Sequence, residues 1–287
     1  SYIYPAALVV ALGGVLFGFD LVIISGTVPF FIKYFGLNEV STGWAVGCIN
    51  LGAAAGALIA GKLSDAIGRK RLLLICAFLF ALTGLATGWA ENFTLFITAR
   101  LLSGVAVGAA ALVCPMYIAE IATSSMRGRL VTLYQLAIVT GLLLAYLSNF
   151  LLLNSGVNNW RWMFSSQTIP ALLFFAGLFF VPESPRWLIK KNKNQQAEAV
   201  LQRIGGADYA REEVQIIHES FLNEAKENIK DLFKYDVKHI VFIGVAVAIF
   251  SQAVGQNSLF SYAPIIFKQA GLAENTAFLQ SVITMVR

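Results

Sequence analysis

Two charged residues, Asp20 and Arg100, each lie inside a long apolar run of the sequence. A charge at the depth of a bilayer costs about 2.5–3.5 kcal/mol on insertion scales, so such residues are functional candidates and should have partners. An arginine beside a carboxylate favours the ionised carboxylate, whereas an apolar cavity favours the protonated form. A motion that makes and breaks the pair would bind and release a proton, so the two residues are candidates for proton coupling.

The composition indicates that the elements positioning these charges lie in a lipid bilayer. Apolar residues make up 57% of the 287 residues and charged residues only 13%, and the mean hydropathy is +0.71. A soluble globular chain carries roughly 25% charged residues. We therefore expect an all-α, polytopic membrane protein whose partners are the lipid bilayer and a small molecule, and not nucleic acid.

No residue pattern predicts a metal site, a cofactor or an enzyme. The three cysteines fall within apolar runs without C-x-x-C spacing, and the two histidines are isolated. No Ser/His/Asp, His-rich or paired-carboxylate cluster occurs. We expect no cofactor, with the proton as coupling ion. No basic stretch precedes the first apolar run, so we expect the first helix to be retained.

Runs near twenty apolar residues predict the membrane spans. They lie at 5–31, 44–61, 72–90, 93–118, 130–152, 162–181 and 239–267, and an eighth begins near 274. The polar stretch 182–238, with its short apolar spacings, predicts two or three amphipathic surface helices. The chain thus divides into a six-helix membrane domain (1–181), a linker domain (182–238) and the start of a second membrane domain (239–287).

The distribution of Lys and Arg predicts the orientation. With a cytoplasmic amino terminus, the inner segments 62–71, 119–129 and 182–238 hold 4, 2 and 10 of these residues, which is 16 of the 21. The outer loops then hold only Lys33, Arg161 and Lys268. Since cytoplasmic loops carry the excess of positive charge, we expect a multi-pass protein of the cell membrane with its amino terminus inside.

In this orientation Asp20 and Arg100 lie at comparable depths, roughly 16 and 10 Å below the outer face at a rise of about 1.5 Å per residue. Packing of the first helix against the fourth would join them. In the alternative, Arg100 snorkels to the outer interface and Asp20 caps a kink near Gly18. Small residues at four-residue spacing favour close helix packing; they are Gly52, Gly56 and Ala60 on the second helix and Gly104 and Gly108 on the fourth.

Several motifs follow one another along the chain. They are Gly13-Gly14 through Gly18-Phe19-Asp20 to Ser25-Gly26; Gly61-x3-Asp65-x2-Gly68-Arg69-Lys70-Arg71; Arg100-x3-Gly104-x3-Gly108; Pro115-x-Tyr117-Ile118-Ala119-Glu120 with Arg127-Gly128-Arg129; Trp160-Arg161-Trp162; and Pro182-Glu183-Ser184-Pro185-Arg186-Trp187-Leu188. In this order they resemble the sugar porter family of the major facilitator superfamily, and the chain is similar to its bacterial sugar/proton symporters. The likeness runs from the first helix to about residue 280.

This resemblance implies two six-helix halves around one substrate cavity that opens alternately to each side, with inverted repeats in each half. The chain would hold the complete first half and the start of the second, about seven or eight of twelve expected helices. We therefore expect it to be part of a longer transporter, by the family's default a monomer. The family also joins its halves through cytoplasmic ion pairs, and the matching residues here are Asp65, Arg69, Glu120, Arg127, Arg129, Glu183 and Arg186.

The resemblance also assigns substrate contacts and a gate. Gln135, Gln252 and Asn257 match sugar-binding amides of the family, and amides suit sugar hydroxyls because they both donate and accept hydrogen bonds. Gly255, Tyr262 and Pro264 would form an extracellular gate in a segment that can bend. The family's usual Gln-Gln-x-x-Gly-Ile-Asn is Ser251-Gln252-Ala253-Val254-Gly255-Gln256-Asn257 in this chain, and Leu142 replaces a second helix-five glutamine. These departures leave the sugar undefined.

The function expected is therefore proton-coupled symport of a monosaccharide, a hexose or a pentose. Two alternatives stay open: an uncoupled facilitator of a sugar or polyol, and a transport-inactive sugar sensor on the same fold. An asparagine at position 20 would leave no titratable group there, so Asp20 favours symport over facilitated diffusion.

Overall fold

The computed structural model describes residues 2–123, 125–224, 235–255, 261–262, 264–266 and 269–270; of these, 222–224 and 235–238 are described by their backbone alone. The described residues form eleven helices and no strand. The fold is all-α, as predicted. The position of Asn257 and the eighth predicted run lie outside the described residues.

Six spans long and apolar enough to cross a membrane lie in the described part of the chain. Five are single helices, and the sixth is two helices separated at Gln167. Their bounds are α1 Ile3–Phe35, α2 Glu39–Ile67, α3 Arg69–Gly88, α4 Phe93–Ile121, α5 Arg127–Leu152, and α6 Asn159–Ser166 followed by α7 Thr168–Phe179. All six predicted runs in the first domain are confirmed, and most helices extend past them because polar end residues continue the helix.

Local capping fixes where these helices begin and end. The Asn38 side chain accepts a hydrogen bond from the Ser41 backbone N–H at the start of α2, and Asn92 accepts one from Leu95 at the start of α4. Each cap satisfies one of the first-turn N–H groups that have no partner within the helix. Gly36 ends α1 at φ +63°, a left-handed conformation that glycine adopts without a steric penalty.

Glycine faces bring α2 and α4 into backbone contact. A side chain at Gly52 would collide with the Leu101 carbonyl, and one at Gly108 would collide with the backbone of Ala53. The predicted small-residue packing is confirmed. α1 and α5 form a second such pair, in which Gly18 lies against the Ile138 carbonyl. Close contact of this kind stabilises helix pairs in a bilayer, where apolar burial gives no driving force.

The ends of α1 and α3 and the start of α6 pack around a buried arginine. Arg161 donates hydrogen bonds to the carbonyls of Gly88 (3.1 Å) and Ala90 (3.2 Å), and its guanidinium lies over the rings of Tyr34 and Trp160. The sequence analysis predicted that Arg161 lies in a loop, and this part of the prediction is wrong. The residue lies in α6 and is 8% exposed, because the last carbonyls of α3 and two aromatic faces supply what water would otherwise provide.

Three short helices follow the sixth span: α8 Pro185–Lys190, α9 Asn194–Gly205 and α10 Ala207–Glu224. They pack on a small apolar cluster of their own that includes Trp187, Leu188 and Ala197. The predicted amphipathic surface helices are therefore present. Helix α11, Tyr235–Ala253, begins the next apolar segment. The predicted run 239–267 was too long for one helix, since α11 ends at Ala253 and Gly255 has φ +74°.

Candidate functional site

A cavity of about 580 Å³ lies between α1, α2, α4 and the segment at the end of α11. Its wall is mostly apolar, with Phe17, Leu21 and Ile24 of α1 among the lining residues. The polar residues on the wall are Asp20, Asn50, Arg100, Gln252, Ser261 and Tyr262. A largely apolar cavity with a few convergent polar groups is the usual form of a small-molecule site.

The Asp20–Arg100 ion pair lies on this wall. Nη1 of Arg100 donates to Oδ1 of Asp20 at 2.8 Å, and the two side chains are 1% and 2% exposed. The predicted pairing is confirmed, and in this conformation Arg100 does not snorkel to the interface. Both charges face the cavity rather than lipid, as expected of ionisable residues at membrane depth.

The guanidinium of Arg100 is only partly satisfied. Its Nε and Nη2 atoms are buried and have no hydrogen-bond partner among the described residues. The Phe164 ring lies 5.6 Å from the guanidinium carbon. Since a buried charge is stabilised mainly by its partners, most of the stabilisation of Arg100 depends on Asp20.

Backbone contacts between helices hold the pair in place. Gly18, two residues before Asp20, contacts α5, and Gly104, four residues after Arg100, contacts the backbone of Ile49 on α2. Neither glycine admits a side chain without moving a neighbouring helix. The ion pair thus lies between two helix pairs, α1 with α5 and α2 with α4.

A second group of charges joins the end of α2, the start of α3 and the end of α4. Arg69 pairs with Asp65 at 2.8 Å, and through Nε and Nη2 it binds both carboxylate oxygens of Glu120 at 3.1 Å. Lys190 of α8 pairs with Asp65 at 2.7 Å. The Glu183 carboxylate accepts hydrogen bonds from the backbone N–H groups of Lys70 and Ser184. The structure therefore brings together Asp65, Arg69, Glu120 and Glu183.

Three other predicted members of this network have different contacts. Arg127 donates to the Ala119 carbonyl at 3.2 Å, and Arg186 lies over the Phe221 ring at 5.4 Å. Arg129 is exposed and has no ion-pair partner in the described part of the chain. In addition, the indole N–H of Trp187 donates to the Asp65 carbonyl, a contact that the sequence did not indicate.

The predicted substrate and gate residues are only partly brought together. Gln252, Gly255 and Tyr262 line the cavity, and Pro264 is buried near them. Gln135 is exposed on α5 and is not among the lining residues. Asn50 on α2 was missed, although an amide between Gly47 and Ala53 in an apolar run was a signal in the sequence. No group of three or more potential metal ligands occurs among the described residues.

Comparison with known proteins gives one consistent family. The profile described as "Sugar (and other) transporter" matches residues 6–287. The D-xylose-proton symporter of Escherichia coli K12 is 38% identical over 318 residues, covering 100% of this chain and 64% of the relative. The arabinose-proton symporter of Bacillus subtilis is 34% identical over 281 residues, covering 96% of this chain and 61% of the relative. The chain thus spans about three fifths of the length of these curated relatives.

Solved structures give the same result for the fold. The proton:xylose symporter XylE bound to 6-bromo-6-deoxy-D-glucose superposes with a TM-score of 0.90 at 38% identity, over 100% of this chain and 66% of that one. The partially occluded inward-open conformation of XylE from E. coli gives 0.88 at 35% identity, over 100% and 70%. The six-span bundle and its helix order therefore match the major facilitator fold.

Proposed function

The chain belongs to the sugar transporter family, and from that membership we propose that it forms part of a secondary active transporter that moves a monosaccharide together with a proton. The observation that carries this proposal is the buried ion pair between Asp20 and Arg100 on the cavity wall. Relatives named as xylose and arabinose symporters support the proton and the pentose class, and the XylE structure bound to 6-bromo-6-deoxy-D-glucose supports the hexose class.

The ion pair supplies the coupling. Contact with Arg100 favours the ionised carboxylate of Asp20; when helix motion separates the two residues, Asp20 is left in an apolar wall, where the neutral acid is favoured. The Nε and Nη2 atoms of Arg100 have no partner among the described residues, so a change in cavity contents can draw Arg100 away from Asp20. Alternation between the two arrangements binds a proton on one side of the membrane and releases it on the other.

The inner charge group acts as a latch. Asp65, Arg69 and Glu120 connect the ends of α2, α3 and α4, while Lys190 connects α8 to Asp65. The exposed pair between Lys190 and Asp65 contributes about 0–1 kcal/mol, which suits a contact that must open in every transport cycle. Arg127, Arg129, Glu183 and Arg186 lie at the same inner surface and take part when the halves meet.

The sugar binds in the cavity between the ion pair and the segment after α11. Gln252 contributes an amide there, and Gln135 and Asn257 contribute further amides when the second half closes the cavity. Gly255 and Pro264 give the segment its bend, and Tyr262 closes over the substrate as an extracellular gate. A Tyr262→Ala variant that transports at the rate of the wild type, measured by initial uptake, would exclude the gate.

The transporter lies in the cell membrane with its amino terminus inside, as the excess of Lys and Arg at the inner segments indicates. It works as a monomer, and it is a transporter and not an enzyme. The proton is its coupling ion, and it needs neither a cofactor nor nucleic acid. Residues 1–181 form one membrane domain, 182–238 the linker and 239–287 the start of the other domain.

Uptake by proteoliposomes tests the coupling. The transporter that contains this chain is reconstituted as wild type and as Asp20→Asn, and labelled D-xylose, L-arabinose and D-glucose are offered with and without an inward proton gradient. We expect the gradient to drive accumulation in the wild type only, while sugar exchange without a gradient survives in Asp20→Asn. The amide keeps the size of the side chain and removes the titratable group.

Equal uptake in both proteins that ignores the gradient would contradict proton coupling and make the protein an uncoupled facilitator. Absence of both uptake and exchange in the wild type, with sugar binding intact, would point instead to a transport-inactive sensor. Asp208→Asn is the matched control, because Asp208 is fully exposed on α10, far along the chain from the membrane spans.

A further inference from the structure

One amide on the cavity wall is used by nothing described so far. Asn50 lies on α2, about eleven residues or roughly 16 Å from the outer end of that helix, so it is well inside the membrane. It lines the same cavity as Asp20 and Arg100. Its side chain is exposed and has no hydrogen-bond partner among the described residues.

Other amides of the membrane domain are used for packing. The amide of Asn149 donates to the Ile23 carbonyl at 3.2 Å, and that of Asn159 donates to the Leu153 carbonyl at 2.9 Å. Gln167 is 1% exposed and packs against Gly84. An uncommitted amide at membrane depth is costly unless it faces water or a ligand, so the cavity is the place where Asn50 can be satisfied.

The neighbours of Asn50 keep the space in front of it open. A side-chain carbon added at Gly43 or Gly47 would meet nothing within 4 Å, and both glycines line the cavity. Glycines on the other face of α2, by contrast, lie against the backbone of α4. α2 therefore has one glycine face for packing and a second that leaves room beside a single polar side chain.

We propose that Asn50 is a specificity-determining residue whose amide binds one hydroxyl group of the transported sugar. The proposal rests on the proposed function, since it needs a sugar in the cavity. An amide fits a hydroxyl because its oxygen accepts and its NH₂ group donates, so one asparagine satisfies both roles of an O–H group. A site built to bind a hydroxyl rejects an analogue that lacks it, because the amide is then left without a partner.

Competition by deoxy sugars tests this assignment without a proton gradient. Exchange of labelled sugar is measured in proteoliposomes that contain the full transporter, using whichever of D-xylose, L-arabinose and D-glucose exchanges fastest. The competitors are that sugar and its monodeoxy derivatives, one for each hydroxyl. Asn50→Leu keeps the size of the side chain and removes its hydrogen bonds, and Leu51→Ala is the control, because Leu51 is the next residue of α2 and does not line the cavity.

In the wild type we expect at least one deoxy derivative to compete about tenfold more weakly than the parent sugar, as a lost hydrogen bond would give. In Asn50→Leu the preference at one hydroxyl position should disappear while the others remain, and Leu51→Ala should keep the wild-type order. If Asn50→Leu does not fold, Asn50→Ser decides, since its shorter hydroxyl should weaken the same single preference.

Two results would overturn the assignment. An unchanged order of all deoxy sugars in Asn50→Leu would show that the amide binds no hydroxyl. An equal loss for all competitors, together with a shifted pH dependence of exchange, would show that Asn50 positions Arg100 instead. Because exchange needs no gradient, a failure of proton coupling leaves this test intact, whereas a wild type that exchanges none of the three sugars overturns the assignment and the sugar transport proposal together.

Discussion

The Asp20–Arg100 pair is a buried ion pair that joins α1 to α4 on the cavity wall. Both side chains are almost completely buried, and the Nε and Nη2 atoms of Arg100 have no partner in the described residues. Breaking a buried pair by removing one member costs about 3–5 kcal/mol, because the other charge is left uncompensated. The same strong dependence of each charge on the other makes the pair sensitive to any motion of α1 against α4.

A double-mutant cycle measures this dependence. We expect Asp20→Asn and Arg100→Leu each to lower the free energy of unfolding by about 3–5 kcal/mol. The double variant should lose less than the sum of these two losses, because no lone charge remains. Thermal or denaturant unfolding of the purified transporter in detergent gives the three values. Additive losses would mean that the two residues do not stabilise each other.

The sequence predicted this pair because charges are rare in apolar runs and their depths can be compared. It did not predict Asn50 as a wall residue or Arg161 as a buried one. The orientation of Asn50 depends on which face of α2 packs on α4, and the burial of Arg161 depends on carbonyls at the end of α3. In both cases the contacting residues lie far away in the sequence, so the local pattern does not indicate the contact.

Among the helices, the α2–α4 pair depends on glycines more than on apolar side chains. Gly56 lies against the Val105 carbonyl and Gly108 against the backbone of Ala53. The small-residue spacing predicted this contact, since only small residues allow backbones so close. The sequence indicated a bend near Gly255, where the structure has a positive φ of +74°. It did not indicate that α11 ends at Ala253, because apolarity continues past that residue.

Substitution of these glycines should separate the helices. We expect Gly108→Val to lower the free energy of unfolding by about 3 kcal/mol or more. The new side chain would collide with the backbone of Ala53, which cannot move aside by changing its rotamer. Gly47→Ala is the matched control on the open face of α2, where an added carbon meets nothing within 4 Å. Unfolding in detergent compares the two; equal stability of both variants would contradict a packing role for Gly108.

Across the whole molecule, α2 and α4 connect the cavity with the inner latch. α4 carries Arg100 on the cavity wall and Glu120 in the latch, about twenty residues or roughly 30 Å apart along the helix. α2 carries Asn50 and Asp65 in the corresponding places. Because backbone contacts hold α2 and α4 together, we infer that a rotation that opens the latch would also shift Arg100 relative to Asp20 on α1.

The latch also holds the linker helices against the membrane domain, and Asp65 is the residue that contacts both. Its carboxylate pairs with Arg69 and Lys190, and its backbone carbonyl accepts from Trp187, so α8 is held by two contacts at one residue. Asp65→Asn removes the charge while the backbone contact remains. We expect amide hydrogen exchange in residues 183–193 to become about threefold to fivefold faster, which corresponds to the loss of about 1 kcal/mol from half-exposed pairs.

Exchange detected by mass spectrometry on the reconstituted protein measures this difference, and the amides of α4 provide an internal reference that should not change. Asp208→Asn is the matched control, because its pair with Arg211 is 4.0 Å long and exposed, so its removal should leave exchange in 183–193 as in the wild type. Unchanged exchange in Asp65→Asn would show that Trp187 and the apolar contacts of α8 alone hold the linker. In that case the charges at the inner surface serve the contact with the other half of the transporter, and Asp65→Asn should change the transport rate without changing the linker.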